Sequence, residues 1–298
     1  MPRALLAVLL TLAVAAGCAG RASAGGFSAG KLNVVTAFYP LQFLSERIGG
    51  DTVTVTNLTK PGAEPHDVEL NPRQVAQVVD AGLAVYLKGF QPAVDTAVAQ
   101  EAKARSFDVS SVVDLLPYSG SESAAGSKDP HVWLDPVRFA TIAGALGERL
   151  ARADPAHAAD YRERSQDLQN QLHDLDQTYA KSLATCARRE IVTSHEAFNY
   201  LAHRYGLTQI GITGVSPEAE PTPRKLAEVA AEARSTGTTT IFFETLVSPK
   251  VAETIAREVG ARTAVLDPLE GLTDRSADYF SIMRANLAAL TTALGCTS

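Results

Sequence analysis

From Leu32 onward, short runs of apolar and β-branched residues alternate with longer stretches of helical period. That alternation predicts α/β architecture with parallel strands. The expected strands are Leu32–Ala37, Thr52–Thr56, Ala84–Lys88 and Ser106–Val109 in the first half. In the second half they are Glu190–Ser194, Thr208–Gly211, Thr238–Phe243 and Thr263–Leu266. The two halves share a strand–helix order, although no repeat is visible residue by residue. Several helix starts are written as an N-cap residue followed by Pro at the first helical position: Asn71-Pro72, Asp135-Pro136, Asp154-Pro155, Thr222-Pro223 and Ser248-Pro249.

The pattern opened by Asp154-Pro155 runs unbroken and polar to about Thr185. About 30 helical residues reach ~45 Å, more than the width of a small lobe. The predicted organisation is therefore two lobes, each a small parallel sheet flanked by helices, joined by one long helix that limits hinge motion. The N-terminal lobe is expected over 31–153, the linking helix over 154–186 and the C-terminal lobe over 187–298. The segment from Tyr118 to Lys128 has the Ser/Gly-rich composition of a mobile loop and carries no histidine.

Ahead of this body, Arg3 precedes an apolar stretch from Ala4 to Ala16, too short to span a bilayer but suited to a secretory signal over 1–17. Ala15-Ala16-Gly17-Cys18 resembles a bacterial lipobox, with Ala15 where Leu is usual, which points to lipidation of Cys18. The alternative is an ordinary signal peptide cut near Ala13 to Ala15. Residues 18–30 then read as a flexible, lipidated tether. The chain has 298 residues, 46% hydrophobic and 20% charged, which are globular values. A net charge of −6, with no basic run, leaves no electrostatic footprint for nucleic acid.

In an exported protein the remaining cysteines, Cys186 and Cys296, read as a disulfide or as two unpaired thiols. Cys186 precedes a strand and Cys296 ends the last helix. A helix that starts near the C-terminal edge of a parallel sheet finishes near its N-terminal edge, so the pair can meet there.

Three of the six histidines lie just beyond a strand or just before a helix: His66, His131 and His195. His131 stands with the only tryptophan, Trp133, between the steps Asp129-Pro130 and Asp135-Pro136, where proline restrains the backbone on both sides. Asp267 follows the last expected strand. Ligands of open α/β sheets bind beyond the carboxyl ends of strands, so all four occupy the expected place for a site. Three imidazoles and a carboxylate would make a tetrahedral site suited to Zn²⁺. On ligand chemistry alone, a metal and a set of hydrogen-bonded structural histidines remain about equally good readings. Glu64 is a candidate base beside the metal, or a solvated turn carboxylate. Glu244 ends a strand facing the cleft and reads as structural; His157, His173 and His203 lie on helices away from the site. Trp133 and Tyr39 line the cleft or pack in the core.

The motifs Pro61-Gly62-Ala63-Glu64-Pro65-His66, Asp129 to Pro136, Thr193 to Leu201 and Leu266-Asp267-Pro268-Leu269 resemble those of the zinc- and manganese-specific solute-binding proteins of ABC transporters. Pro217 to Pro223 and Ile241 to Glu244 also match in order and spacing, so the resemblance covers Lys31 to Leu294. It implies a non-enzymatic receptor, a monomer anchored outside the bacterial membrane. It would capture Zn²⁺ through His66, His131, His195 and Asp267 and deliver it to a permease with its ATPase. Histidine at position 195 goes with zinc in that family, whereas glutamate there goes with manganese. The long His-rich loop of many zinc members is replaced here by a short one without histidine. Mn²⁺ or Fe²⁺ is the alternative cargo. A metal-dependent hydrolase would need an open coordination position and a base such as Glu64, and a surface adhesin has no recognisable module in this chain.

Overall fold

The computed structural model describes residues 26–118, 127–274 and 276–297. The signal segment, Cys18 and the interior of the 118–128 loop lie outside them. The described chain begins with a hairpin. β1 (Phe27–Ser28) pairs antiparallel with the start of β2 (Lys31–Thr36) around Ala29 and Gly30, both at positive φ. That two-residue turn matches the twist of the flanking strands. The stretch 27–30, expected to be flexible tether, therefore belongs to the folded body.

β2 is the hub of the first sheet. β3 (Val53–Asn57) lies on one side, and β4 (Leu83–Tyr86) then β5 (Ser106–Asp108) on the other, all parallel. The second sheet repeats this order: β6 (Glu190–Thr193) is flanked by β7 (Thr208–Gly211) on one side and by β8 (Thr240–Phe243) and β9 (Arg262–Val265) on the other. In each lobe the strand order reverses at the first long strand, and the carboxyl ends beside that reversal are where an open sheet binds ligands.

The helices between are α1 (Tyr39–Gly49), α2 (Pro72–Val79), α3 (Pro92–Ala97), α4 (Pro136–Ala153) and α5 (Ala158–Ser182). The second lobe adds α6 (Asn199–Tyr205), α7 (Pro223–Ser235), α8 (Lys250–Val259) and α9 (Tyr279–Leu294). Asn71, Asp135 and Thr222 cap α2, α4 and α7 through their side-chain oxygens, as their sequence positions imply. The Asp154-Pro155 start makes a short 3-10 turn before α5, and α8 begins at Lys250, one residue past Pro249.

The linking helix α5 has 25 residues, shorter than the sequence pattern suggests, because the α-helix ends at Ser182. It buries Tyr161, Ser165, Leu168, Leu172, Leu175 and Tyr179, a stripe at alternating spacings of four and three. Its first half is fastened to the N-terminal lobe, where Arg164 donates to the carbonyls of Ile48 (2.9 Å) and Gly49 (2.8 Å). Its last turn is fastened to the C-terminal lobe, where the Tyr179 hydroxyl donates to Met283 O at 2.6 Å. One hydrophobic core runs through the N-terminal lobe, α5 and the near face of the C-terminal lobe. A second, smaller one lies around Val192, Ile210, Ile241 and Ile255. Cys186 and Cys296 form a disulfide that pins the end of α9 beside the start of β6.

Candidate metal centre

Each histidine of the expected set is delivered by a loop at a sheet edge. His66 lies between β3 and α2. Gln91 donates to the carbonyl of Pro65 (2.9 Å), and the His66 N–H donates to Glu64 Oε1 (3.0 Å). Its ring packs edge-to-face with Phe90, with centroids 4.7 Å apart. His131 is fully buried, and Asp129 Oδ1 holds it twice, accepting from the backbone N–H at 2.9 Å and lying 2.8 Å from Nδ1. His195 follows β6; its carbonyl accepts from Thr193 Oγ1 at 2.7 Å, and its Nδ1 lies 2.7 Å from Glu244 Oε1. An Nδ1–H given to Asp129 and to Glu244 fixes the tautomer of His131 and His195 and turns the Nε2 lone pair inward, the usual arrangement behind a metal-ligating imidazole.

The three Nε2 atoms converge on one carboxylate oxygen, Glu270 Oε1, at 3.3 Å from His66, 2.9 Å from His131 and 3.3 Å from His195. Candidate ligand atoms of all four residues lie within 4.8 Å of one another. His195 Nε2 and Glu270 Oε2 are buried without a hydrogen-bond partner. Buried polar atoms of this kind are costly unless something binds them, and a cation among three imidazoles and a carboxylate would do so. The donor set fits Zn²⁺.

The electrostatics agree. Burial works against a charged imidazole at His131, yet Asp129 and Glu270 outweigh it and hold the ring above its ordinary value. His195 is held well above for the same reason, with Glu244 and Glu270 outweighing burial. Burial pulls His66 down despite Glu270. Glu270 is itself held well below the carboxylate range: burial opposes its charge, but His195, His131 and His66 prevail. The cluster demands positive charge beside Glu270.

Asp267, the expected fourth ligand, lies outside this cluster, and Glu270 stands beside the three histidines in its place. Both its oxygens are committed: Oδ1 accepts from Leu269 N (2.8 Å) and Oδ2 from Thr245 Oγ1 (2.9 Å). Its backbone is gripped by Asn286, which accepts from Asp267 N (2.9 Å) and donates to Asp267 O (2.7 Å). Trp133 Nε1 donates to Pro268 O at 2.7 Å, and Leu269 takes a left-handed φ of 61°. Asp267 thus builds the turn that presents Glu270, three residues on. An aspartate before proline is a turn former whose side chain often bonds its own backbone two residues later. That signal, with a glutamate following in the same loop, is one that could have singled out Glu270, which the sequence reading missed.

Glu64 lies beside the cluster, with Oε1 4.0 Å from His66 Nε2 and its carboxyl pushed up to about 8, chiefly by burial and then by Glu270. Glu244 supports His195. Trp133 is a core residue bonded across to the 267–270 turn, and Tyr39 lines a cavity of about 440 Å³ whose walls include Asn57, Lys60, Asp278 and Glu270. His157 bonds Asp154, while His173 and His203 are exposed.

Two α/β lobes that share a buried cluster of three histidines and a glutamate at facing strand ends define a metal-binding receptor of the solute-capturing kind. The chain belongs to the family described as zinc-uptake complex component A, periplasmic, whose profile matches residues 34–293. It is 33% identical to the high-affinity zinc uptake system protein ZnuA of Bacillus subtilis, over 96% of this chain and 94% of that protein. Among solved structures it is similar to the laminin-binding protein Lmb of Streptococcus agalactiae, described as having adhesin and metal-transporting activity. That match has a TM-score of 0.81 at 33% identity and covers 88% of this chain and 99% of that one. It is similar too to Zn(II)-bound AdcA of Streptococcus pneumoniae (TM-score 0.77, 34% identity), covering 89% of this chain and 58% of that larger one.

Proposed function

We propose that this protein captures Zn²⁺ outside the cytoplasmic membrane and delivers it to the permease of an ABC importer driven by its ATPase. His66, His131, His195 and Glu270 are the residues that hold the ion, and their convergence at the junction of the lobes is the observation that carries the reading. The receptor works as a monomer, tethered through a lipid on Cys18. Zinc is favoured over manganese because three imidazoles and one carboxylate bind Zn²⁺ far above Mn²⁺ in the divalent affinity order. Four protein donors leave no coordination position for an activated water, which speaks against a hydrolase.

Metal-free protein titrated with both ions should take one Zn²⁺ per chain, much more tightly than Mn²⁺. Tighter Mn²⁺ binding overturns the zinc assignment. His195→Ala should lose high-affinity Zn²⁺ binding while its circular dichroism stays native; unchanged affinity would remove His195 from the site.

A further inference from the structure

Beside the histidine cluster lies a second group of donors made only of oxygen. Carboxylate oxygens of Glu64, Glu244 and Glu270 lie within 4.8 Å of one another. Their three loops abut, since a Cβ built on Gly271 would sit 3.5 Å from both the Ala63 carbonyl and the Leu246 side chain. Each carboxylate has divided its work in the same way. Glu64 Oε1 accepts the His66 N–H, Glu244 Oε1 meets His195 Nδ1 and the Ser194 hydroxyl, and Glu270 Oε1 faces the three Nε2 atoms. The other oxygen of each, Oε2, is buried and has no hydrogen-bond partner. Glu244 and Glu270 are each only 1% exposed, so bulk solvent hardly reaches them. Asp267, in the adjoining turn, shows the contrast: both its oxygens have donors.

Charge points the same way. Asp129, Glu64, Glu244 and Glu270 surround the three imidazoles, and among the described residues none of the four is ion-paired to Lys or Arg. With neutral imidazoles and all four carboxylates ionised, one Zn²⁺ leaves two negative charges unbalanced. Buried charges are tolerated only when they are paired. A second divalent cation held by one oxygen of each of Glu64, Glu244 and Glu270 balances them, and an all-oxygen donor set suits a hard ion rather than zinc.

We propose that Glu64, Glu244 and Glu270 form a second cation site, adjoining the zinc site and sharing Glu270 with it, that takes a hard divalent ion such as Mn²⁺. The proposal rests on the zinc reading, because Glu270 belongs to both sites. The competing arrangement is two protons on the same carboxylates.

The test uses full-length protein loaded with one Zn²⁺ and freed of excess metal. Mn²⁺ is then added and followed by loss of the free-ion electron paramagnetic resonance signal, and zinc content is measured afterwards. The expected result is one further equivalent of Mn²⁺ bound while zinc stays at one per chain, with Glu64→Gln weakening Mn²⁺ at least 10-fold and retaining its zinc. No Mn²⁺ uptake by the zinc-loaded protein overturns the proposal and leaves protons as the balance. So does equal uptake by Glu64→Gln, or displacement of zinc by Mn²⁺. A chain that holds no zinc at the outset overturns the zinc reading and this proposal together, which separates the two failures.

Discussion

Replacing Asp267 separates a turn builder from a ligand. The carboxylate accepts from the buried Leu269 N–H and from Thr245, and the first bond supports Leu269 in its left-handed conformation. A hydrogen bond to a charged group contributes about 1.5–3 kcal/mol, and a non-glycine residue in that conformation costs about 1–2 kcal/mol. Asp267→Ala removes the bond, strands the N–H and leaves the strain without support. Metal-free protein should lose about 2–4 kcal/mol of a total that is commonly 5–15 kcal/mol. Asp267→Asn keeps a neutral acceptor at Oδ1 and should cost only about 1 kcal/mol, since charge roughly doubles such a bond. Zinc affinity, measured by competition with a chromophoric chelator, should then fall less than about 10-fold in Asp267→Asn. Glu270→Gln should lower it by more than the ~10–100-fold that follows loss of an outer partner. If Asp267→Asn weakened zinc as much as Glu270→Gln, Asp267 would be a ligand after all and the assignment to Glu270 would fall.

Two further outcomes follow from how the lobes are joined. Arg204 Nη2 lies 2.7 Å from Asp176 Oδ2, and the Tyr205 hydroxyl lies 3.0 Å from Oδ1, tying α5 to α6. Burial raises the Asp176 carboxyl, but these partners outweigh it and hold the group below its ordinary value. A depressed folded value means stability that is present above the unfolded pKa of about 3.9 and lost as pH falls through the folded one. The denaturation gap between wild type and Asp176→Asn should be full at neutral pH and close in acid below about pH 4; a gap that widens in acid contradicts this. The second outcome concerns shape. Phe43 stacks on Tyr279 (5.4 Å) and Phe139 lies 4.7 Å from it, while the Tyr279 hydroxyl donates to Trp133 O, so the lobes share one aromatic core. Opening about α5 would expose these rings at about 1.5–3 kcal/mol apiece. Small-angle scattering with and without zinc should superimpose, and a clear rise in radius of gyration without metal would show that the lobes do part.

Much of this architecture is written locally in the chain, and what is not depends on partners far away in sequence. The strands of both sheets lie within about two residues of their apolar runs, because burial and β-branched content coincide there. The caps at Asn71, Asp135 and Thr222 are legible because each needs only its own side chain and the proline that follows. The hairpin at Phe27 is not, since Ala29-Gly30 is hidden in a run of small residues and is revealed only by its pairing with β2. The histidines stand out because each lies in a punctuated loop beyond a strand or ahead of a helix. The carboxylate is harder: Asp267 and Glu270 share one loop after β9, and the choice between them depends on Thr245, Asn286 and Trp133, which occupy Asp267 and its turn from other elements.

The same contacts explain why side chains from distant parts of the chain can meet in one cluster. His66 and His131 come from the first half and His195 and Glu270 from the second, so no half holds a complete set. Their registration is carried by bonds that cross between the halves: Trp133 to Pro268 beside the Glu270 turn, Tyr279 to Trp133, and Tyr200, whose hydroxyl donates to Asp129 O at 2.7 Å. Asp129 in turn aims His131. The tryptophan motif between the two Asp-Pro steps therefore does more than hold one histidine rigid. Its backbone and indole help set the position of Glu270 in the opposite lobe; on the proposed reading, a donor set held in this way is in place before the ion arrives, so little of the binding energy is lost to ordering side chains.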